Sequence, residues 1–152
     1  MSLRQQIDQD LVQAMKAKDE VRLNTLRMIK TALKNRQVDV QHELSDAEVI
    51  QVMKTLIKQR QDSVEQYQQA GRSDLAEHEQ AEIRIIEHYL PPMLSQAELE
   101  RVVDETIREV GAASLKDMGQ VMKAVMGKLA TAMVDGKMVN QMVRSKLTAL
   151  EE

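Results

Sequence analysis

Residues 45–71, SDAEVIQVMKTLIKQRQDSVEQYQQAG, decide the fold class of this chain. In Ser45-Asp46-Ala47-Glu48 a hydroxyl and a carboxylate stand three residues apart, where each satisfies a backbone N–H that the first turn of a helix leaves free. Behind this capping box Val49, Val52, Met53, Leu56, Ile57, Val64 and Tyr67 recur at intervals that line one side of a helix and do not alternate as a strand would. The pattern lasts to about residue 70, which predicts a helix of roughly 39 Å at 1.5 Å per residue. Gly71 ends it, because the position after the cap favours a left-handed residue and glycine adopts that conformation at no steric cost. Ser73 can cap a following helix whose Ile83, Ile86 and Leu90 face one way, and the two together predict a long αα-hairpin.

Working outward, the same periodicity fills the chain. Ile7, Leu11 and Met15 predict a first helix, and Asp19 caps a second that carries Leu23, Leu26, Ile29 and Leu33. Pro91-Pro92, the only prolines, cannot continue a helix, so the domain boundary is expected there, with domains at 1–91 and 92–152. Ser95-Gln96-Ala97-Glu98 is a second capping box, opening a helix with Leu99, Val102, Val103, Ile107 and Val110 that stops at Gly111. Ser114 starts a segment with Met118, Val121, Met122, Val125, Met126 and Leu129, and Asp135-Gly136 precedes a last one with Val139, Met142, Val143 and Leu147. The expectation is an all-α chain: an elongated N-terminal four-helix domain followed by a small three-helix C-terminal domain.

Composition agrees. Of 152 residues 30% are charged and 43% hydrophobic, yet Tyr67 and Tyr89 are the only aromatics, with five Gly and no Cys. Sheets need β-branched and aromatic runs broken by frequent turn residues, which this sequence does not supply. The lack of Cys removes disulfides, thiolate nucleophiles and cysteine zinc sites, and suits a reducing cytosol. No apolar stretch approaches the roughly 20 residues of a membrane span, and residues 2–18 lack the apolar block of a signal peptide, so a cytoplasmic protein is expected.

Catalytic constellations are hard to find. His78-Glu79-Gln80-Ala81-Glu82 nearly spells a zinc-protease helix, but Glu stands where the second His ligand is required, and solvated helix-face residues are the better reading. Gly127-Lys128 is followed by Leu129, and Met122 occupies the place of the first Gly of a phosphate loop. The serines sit mostly at helix caps, and Glu77, Glu79, Glu82 and Glu87 read as a wet helix face. No catalytic residue, metal or cofactor is assigned. Met118, Met122 and Met126 read first as core packing, with an adaptable binding surface as the alternative.

Charge is the informative feature. The chain carries a formal −3, but residues 111–150 hold Lys116, Lys123, Lys128, Lys137, Arg144 and Lys146 against only Asp117 and Asp135. No acidic partner is obvious for these six, which favours contact with an external polyanion; cations near a phosphate backbone gain affinity by releasing counterions. For Arg27, Lys30 and Lys34, pairing with the acidic segment 72–90 and contact with nucleic acid stand level. Neither basic region offers aromatics for stacking on single-stranded bases.

Several runs, in order, resemble the GatB/YqeY family, whose members are similar to the tail of the B subunit of the tRNA-dependent amidotransferase. At the N-terminal end these are Ala14-Met15-Lys16-Ala17-Lys18-Asp19 and Leu26-Arg27-Met28-Ile29. At the junction they are Ala70-Gly71-Arg72-Ser73-Asp74-Leu75, Glu79, Glu82-Ile83 and Tyr89-Leu90-Pro91. In the last third they are Asp117-Met118-Gly119-Gln120-Val121-Met122 and Asp135-Gly136-Lys137-Met138-Val139-Asn140. The resemblance implies a two-domain helical protein linked to tRNA; together with the local excess of positive charge and the missing catalytic groups, it makes Lys116, Lys123, Lys128, Lys137, Arg144 and Lys146 the expected contacts to a nucleic-acid backbone. It also implies the label of a carbon–nitrogen ligase with glutamine as amide donor, although the kinase-like domain and amidase subunit that carry that chemistry have no counterpart in this sequence. An accessory role in such an amidotransferase, alongside protein partners in translation, and a plain helical adaptor are the alternatives. Where relatives place a Gly and a base before Asp-Gly, this chain reads Ala132-Met133-Val134, which removes one basic contact and would let the preceding helix run on.

Overall fold

The computed structural model describes all residues, Met1–Glu152, and is built from helices without a strand. It divides into two compact units, Met1–Leu90 and Pro91–Glu152.

The first unit contains α1 (Leu3–Ala17), α2 (Glu20–Val40), α3 (Asp46–Gln69) and α4 (Ser73–Glu87). Ser45 and Glu48 form the expected capping box, with the Glu48 N–H donating to Ser45 Oγ at 3.2 Å and Glu48 Oε1 accepting from the Ser45 N–H at 3.1 Å. The same device at Ser2 and Gln5 opens α1, and the Asp19 carboxylate caps α2 through the Arg22 N–H. At the far end of α3, Gly71 takes φ +71°. Its N–H bonds the Gln68 carbonyl at 3.1 Å and the Arg72 N–H reaches the Tyr67 carbonyl at 2.8 Å, the paired closure of a Schellman motif.

Two local expectations are corrected. Ser73 is the first helical residue of α4 and not its cap; Arg72 holds the cap position and makes no side-chain cap bond. Helix α4 also ends at Glu87, three residues before Leu90, and a turn carries the chain to the prolines. The most extensive pairing in this unit is α3 with α4, as the hairpin reading expects. Its buried side chains include Ile7, Leu26, Ile29, Leu33, Val49, Met53, Ile83 and Ile86. On α1 the buried residues are Ile7, as expected, and Ala14, seven positions on, while Leu11 is half-buried and Met15, one residue past Ala14, is half exposed.

The second unit holds α5 (Gln96–Val110), a single turn of 3-10 helix at Leu115–Asp117, α6 (Met118–Lys128) and α7 (Gly136–Leu150). One core joins Leu99, Val103 and Ile107 of α5 to Val121 and Val125 of α6, to Leu129 just beyond it, and to Val139, Val143 and Leu147 of α7. The methionines are not its centre. Met118 and Met122 pack against it from the side and Met126 is 40% exposed, because the four-residue stripe of Val121, Val125 and Leu129 takes the inward direction. Nor does α6 run on towards Asp135. It stops at Lys128, and after a turn the Met133 carbonyl accepts the Leu94 N–H at 2.8 Å, an extended contact that a continued helix would forbid. The Ser95 hydroxyl accepts the Glu98 N–H at 3.1 Å, but Glu98 returns to that hydroxyl and not to the backbone, so this box is half formed.

Candidate functional site

The six cations of the second unit do not form one set. Lys128 Nζ lies 2.6 Å from Glu109 Oε2, and Lys146 Nζ lies 2.6 Å from Glu100 Oε1 and 3.1 Å from Asp104 Oδ1. The expectation that no acidic partner exists is therefore corrected for these two. Residues on α5 at 100, 104 and 109 lie far off in sequence, and only tertiary packing brings them to α6 and α7. Hydrogen bonds to Glu100 and then Asp104 push the Lys146 ammonium above its usual range.

Lys116, Lys123, Lys137 and Arg144 differ. All four are exposed, and their side chains make no ion pair or hydrogen bond. On α6 Lys123 lies about 200° round the helix from Val121 and 160° from Val125, pointing away from the core at 100° per residue. On α7 Lys137 and Arg144 are seven residues apart, two turns and roughly 10.5 Å, on one exposed face that flanks the buried stripe of Val139, Val143 and Leu147. Gly119 and Gly127 stand one turn either side of Lys123, and a Cβ at either would meet nothing within 4 Å.

The residues that carried the resemblance have local structural roles in several cases. Asp117 Oδ2 accepts the Ala113 and Ser114 N–H groups at 2.8 and 3.3 Å, a capping box that the sequence reading passed over. Asp135 caps α7 through the Lys137 N–H at 3.0 Å, with Gly136 as the first helical residue. Arg72 pairs with Asp74 at 3.3 Å. Glu82 accepts from Arg60 Nε at 2.8 Å and stands 3.2 Å from His78 Nε2, while Arg60 also donates to the Leu56 carbonyl and to Met28 Sδ. That network ties α4 to α3 and α2, so the near-match to a zinc motif is a structural clasp. Arg27 is exposed and without a side-chain partner, as is Lys34, whereas Lys30 pairs with Asp8 of α1 at 2.8 Å and not with segment 72–90. Glu79 is half-buried on α4, and Pro91 is exposed.

Tyr89 is the least expected of these residues. It is buried, and its hydroxyl donates to Asp10 Oδ2 at 2.5 Å across 79 positions of sequence, while Arg22 Nη2 approaches Asp10 Oδ1 at 3.8 Å. Burial first, and then the Asp10 carboxylate, push the phenol well above its usual range. Beside this cluster α2 and α4 enclose a groove that includes Arg22, Arg84 and His88. The sequence reading missed it, although Ala81, Arg84 and Ile85 of α4 and His88 at its C-terminal cap share one helical face by spacing alone.

The sequence model of the family described as Yqey-like protein matches residues 4–147. Among curated proteins the chain is 37% identical to altered inheritance of mitochondria protein 41 of Lachancea thermotolerans, covering 68% of this chain and 57% of that one. It is 30% identical to the protein of that name from Vanderwaltozyma polyspora, over 74% of this chain and 64% of the relative. It is also 30% identical to the Kluyveromyces lactis protein, over 87% and 71%. The chain thus spans about three fifths of the first two relatives. All three are named as mitochondrial, which overturns the cytoplasmic placement read from composition. Absence of Cys bears on redox conditions and does not name a compartment.

Proposed function

The chain belongs to the YqeY-like protein family, and we propose that it is a non-catalytic tRNA-binding protein whose second unit holds the phosphate backbone through Lys116, Lys123, Lys137 and Arg144. The observation that carries this reading is the sorting of the six cations: four stand exposed and unneutralised, and two are already spent on α5 carboxylates. An unpaired exposed cation is free to replace a counterion on a phosphate, whereas Lys128 and Lys146 would first have to give up a partner. The choice of tRNA among RNAs rests on the resemblance to the amidotransferase tail. Helices that present cations and no aromatics suit a folded RNA recognised by shape. Any part in glutamine-dependent amidation is then one of holding the RNA while other subunits do the chemistry.

The test is binding of unfractionated tRNA by fluorescence anisotropy at low salt. Joint replacement of Lys116, Lys123, Lys137 and Arg144 by Ala removes most of the affinity, while Lys128→Ala with Lys146→Ala changes it by about twofold or less. Equal losses in the two variants, or no binding by the unaltered chain, contradict the proposal.

A further inference from the structure

The groove between α2 and α4 in the first unit has a volume of about 480 Å³, within the range of small-ligand sites. Its walls are Val21 and Ile85, the former 40% exposed despite being apolar. Three basic side chains reach it: Arg22 from the first turn of α2, Arg84 from α4, and His88, four residues on, from the cap position that ends α4. Arg84 is exposed and its guanidinium has no partner, and the His88 ring touches only the edge of Tyr89. Helix α4 also carries Asp74, Glu77, Glu79, Glu82 and Glu87, none of which lines the groove; Asp74 pairs with Arg72, and Glu82 with Arg60 and His78. Asp19 is the one carboxylate lining the groove, and its Oδ1 already caps α2 by accepting the Arg22 N–H at 3.2 Å. Arg22 keeps donors to spare, since its contact with Asp10 is a single long one at 3.8 Å.

Two guanidiniums and an imidazole lining one open, partly apolar groove match the oxygens of a phosphate group with a compact body attached. We propose that this groove is a phosphate-binding site, separate from the cations of the second unit and independent of the tRNA reading. Guanidiniums meet phosphate in bidentate fashion, and Val21 and Ile85 offer cover to the rest of a nucleoside monophosphate.

The full chain, isotopically labelled, is titrated at low salt with inorganic phosphate in one arm and adenosine 5′-monophosphate in another, and amide shifts are followed by NMR. The expected result is saturable shifts at Val21, Arg22, Arg84 and His88, with a dissociation constant of about 1 mM or tighter. Stronger binding of the nucleotide identifies a ligand with a body, and equal binding identifies the phosphate alone; both uphold the site. Because Arg84 is exposed and unpaired, Arg84→Ala keeps the fold and weakens binding by about tenfold or more. Lys137→Ala with Arg144→Ala leaves these shifts unchanged. Absence of saturation at roughly 10 mM, shifts confined to the second unit, or shifts undiminished in Arg84→Ala overturn the proposal.

Discussion

Tyr89 shows how much one side chain contributes when its hydroxyl is buried against a carboxylate. A hydrogen bond to a charged group contributes about 1.5–3 kcal/mol, so Tyr89→Phe lowers the stability of the first unit by about 2 kcal/mol, read from urea unfolding at unchanged helical content. Alkaline pH supplies a second readout. The folded chain keeps this phenol protonated to higher pH than the unfolded chain does, so the stabilisation is complete below the ordinary value of 10.0 and drains away as pH rises above it. Stability of Tyr89→Phe should lack that component of the alkaline decline; an identical decline in both proteins would remove the Asp10 bond from the account. Lys146 follows the same sign, its pairing complete below 10.5 and lost above. Its side chain and both partners are 31–51% exposed, so solvent screening holds that contribution to about 1 kcal/mol or less.

At the scale of elements, caps and apolar stripes decide the outcome. Gly71 sits at φ +71° with open space around it, so Gly71→Ala meets no clash and isolates the cost of a left-handed alanine, about 1–2 kcal/mol in thermal or urea unfolding. Leu147 is fully buried where α7 meets α5 and α6, and Leu147→Ala costs about 2–5 kcal/mol, enough to lose the second unit's amide protection while the first retains its own. Helix starts at Asp19, Ser45, Ser95 and Asp135 and the stops at Gly71 and Gly111 were legible because each rests on bonds within a few residues. The inward line of α6 was not, since Met118-Met122-Met126 and Val121-Val125-Leu129 repeat equally well and packing alone chooses between them. The site was legible by residue type only. Which cations stay free depends on Glu100, Asp104 and Glu109 meeting α6 and α7, and the Asp10–Tyr89 bond joins positions no local pattern connects.

For the molecule as a whole, a formal charge of −3 does not oppose RNA binding, because the signs are sorted. Helix α5 carries Glu98, Glu100, Asp104, Glu105 and Glu109 against Arg101 and Arg108, and the outward sides of α6 and α7 carry Lys123, Lys137 and Arg144. No helix is long and apolar enough to cross a membrane, and the family match runs through both compact units. The salt dependence of tRNA affinity bears most directly on the central claim. If Lys116, Lys123, Lys137 and Arg144 each neutralise one phosphate, the logarithm of the binding constant falls against the logarithm of salt with a slope of about −3, at roughly 0.7–0.9 per contact. Replacing all four by Ala brings that slope close to zero, and replacing Lys128 and Lys146 leaves it near −3. A slope that is flat in the unaltered protein, or that survives removal of the four cations, contradicts the account.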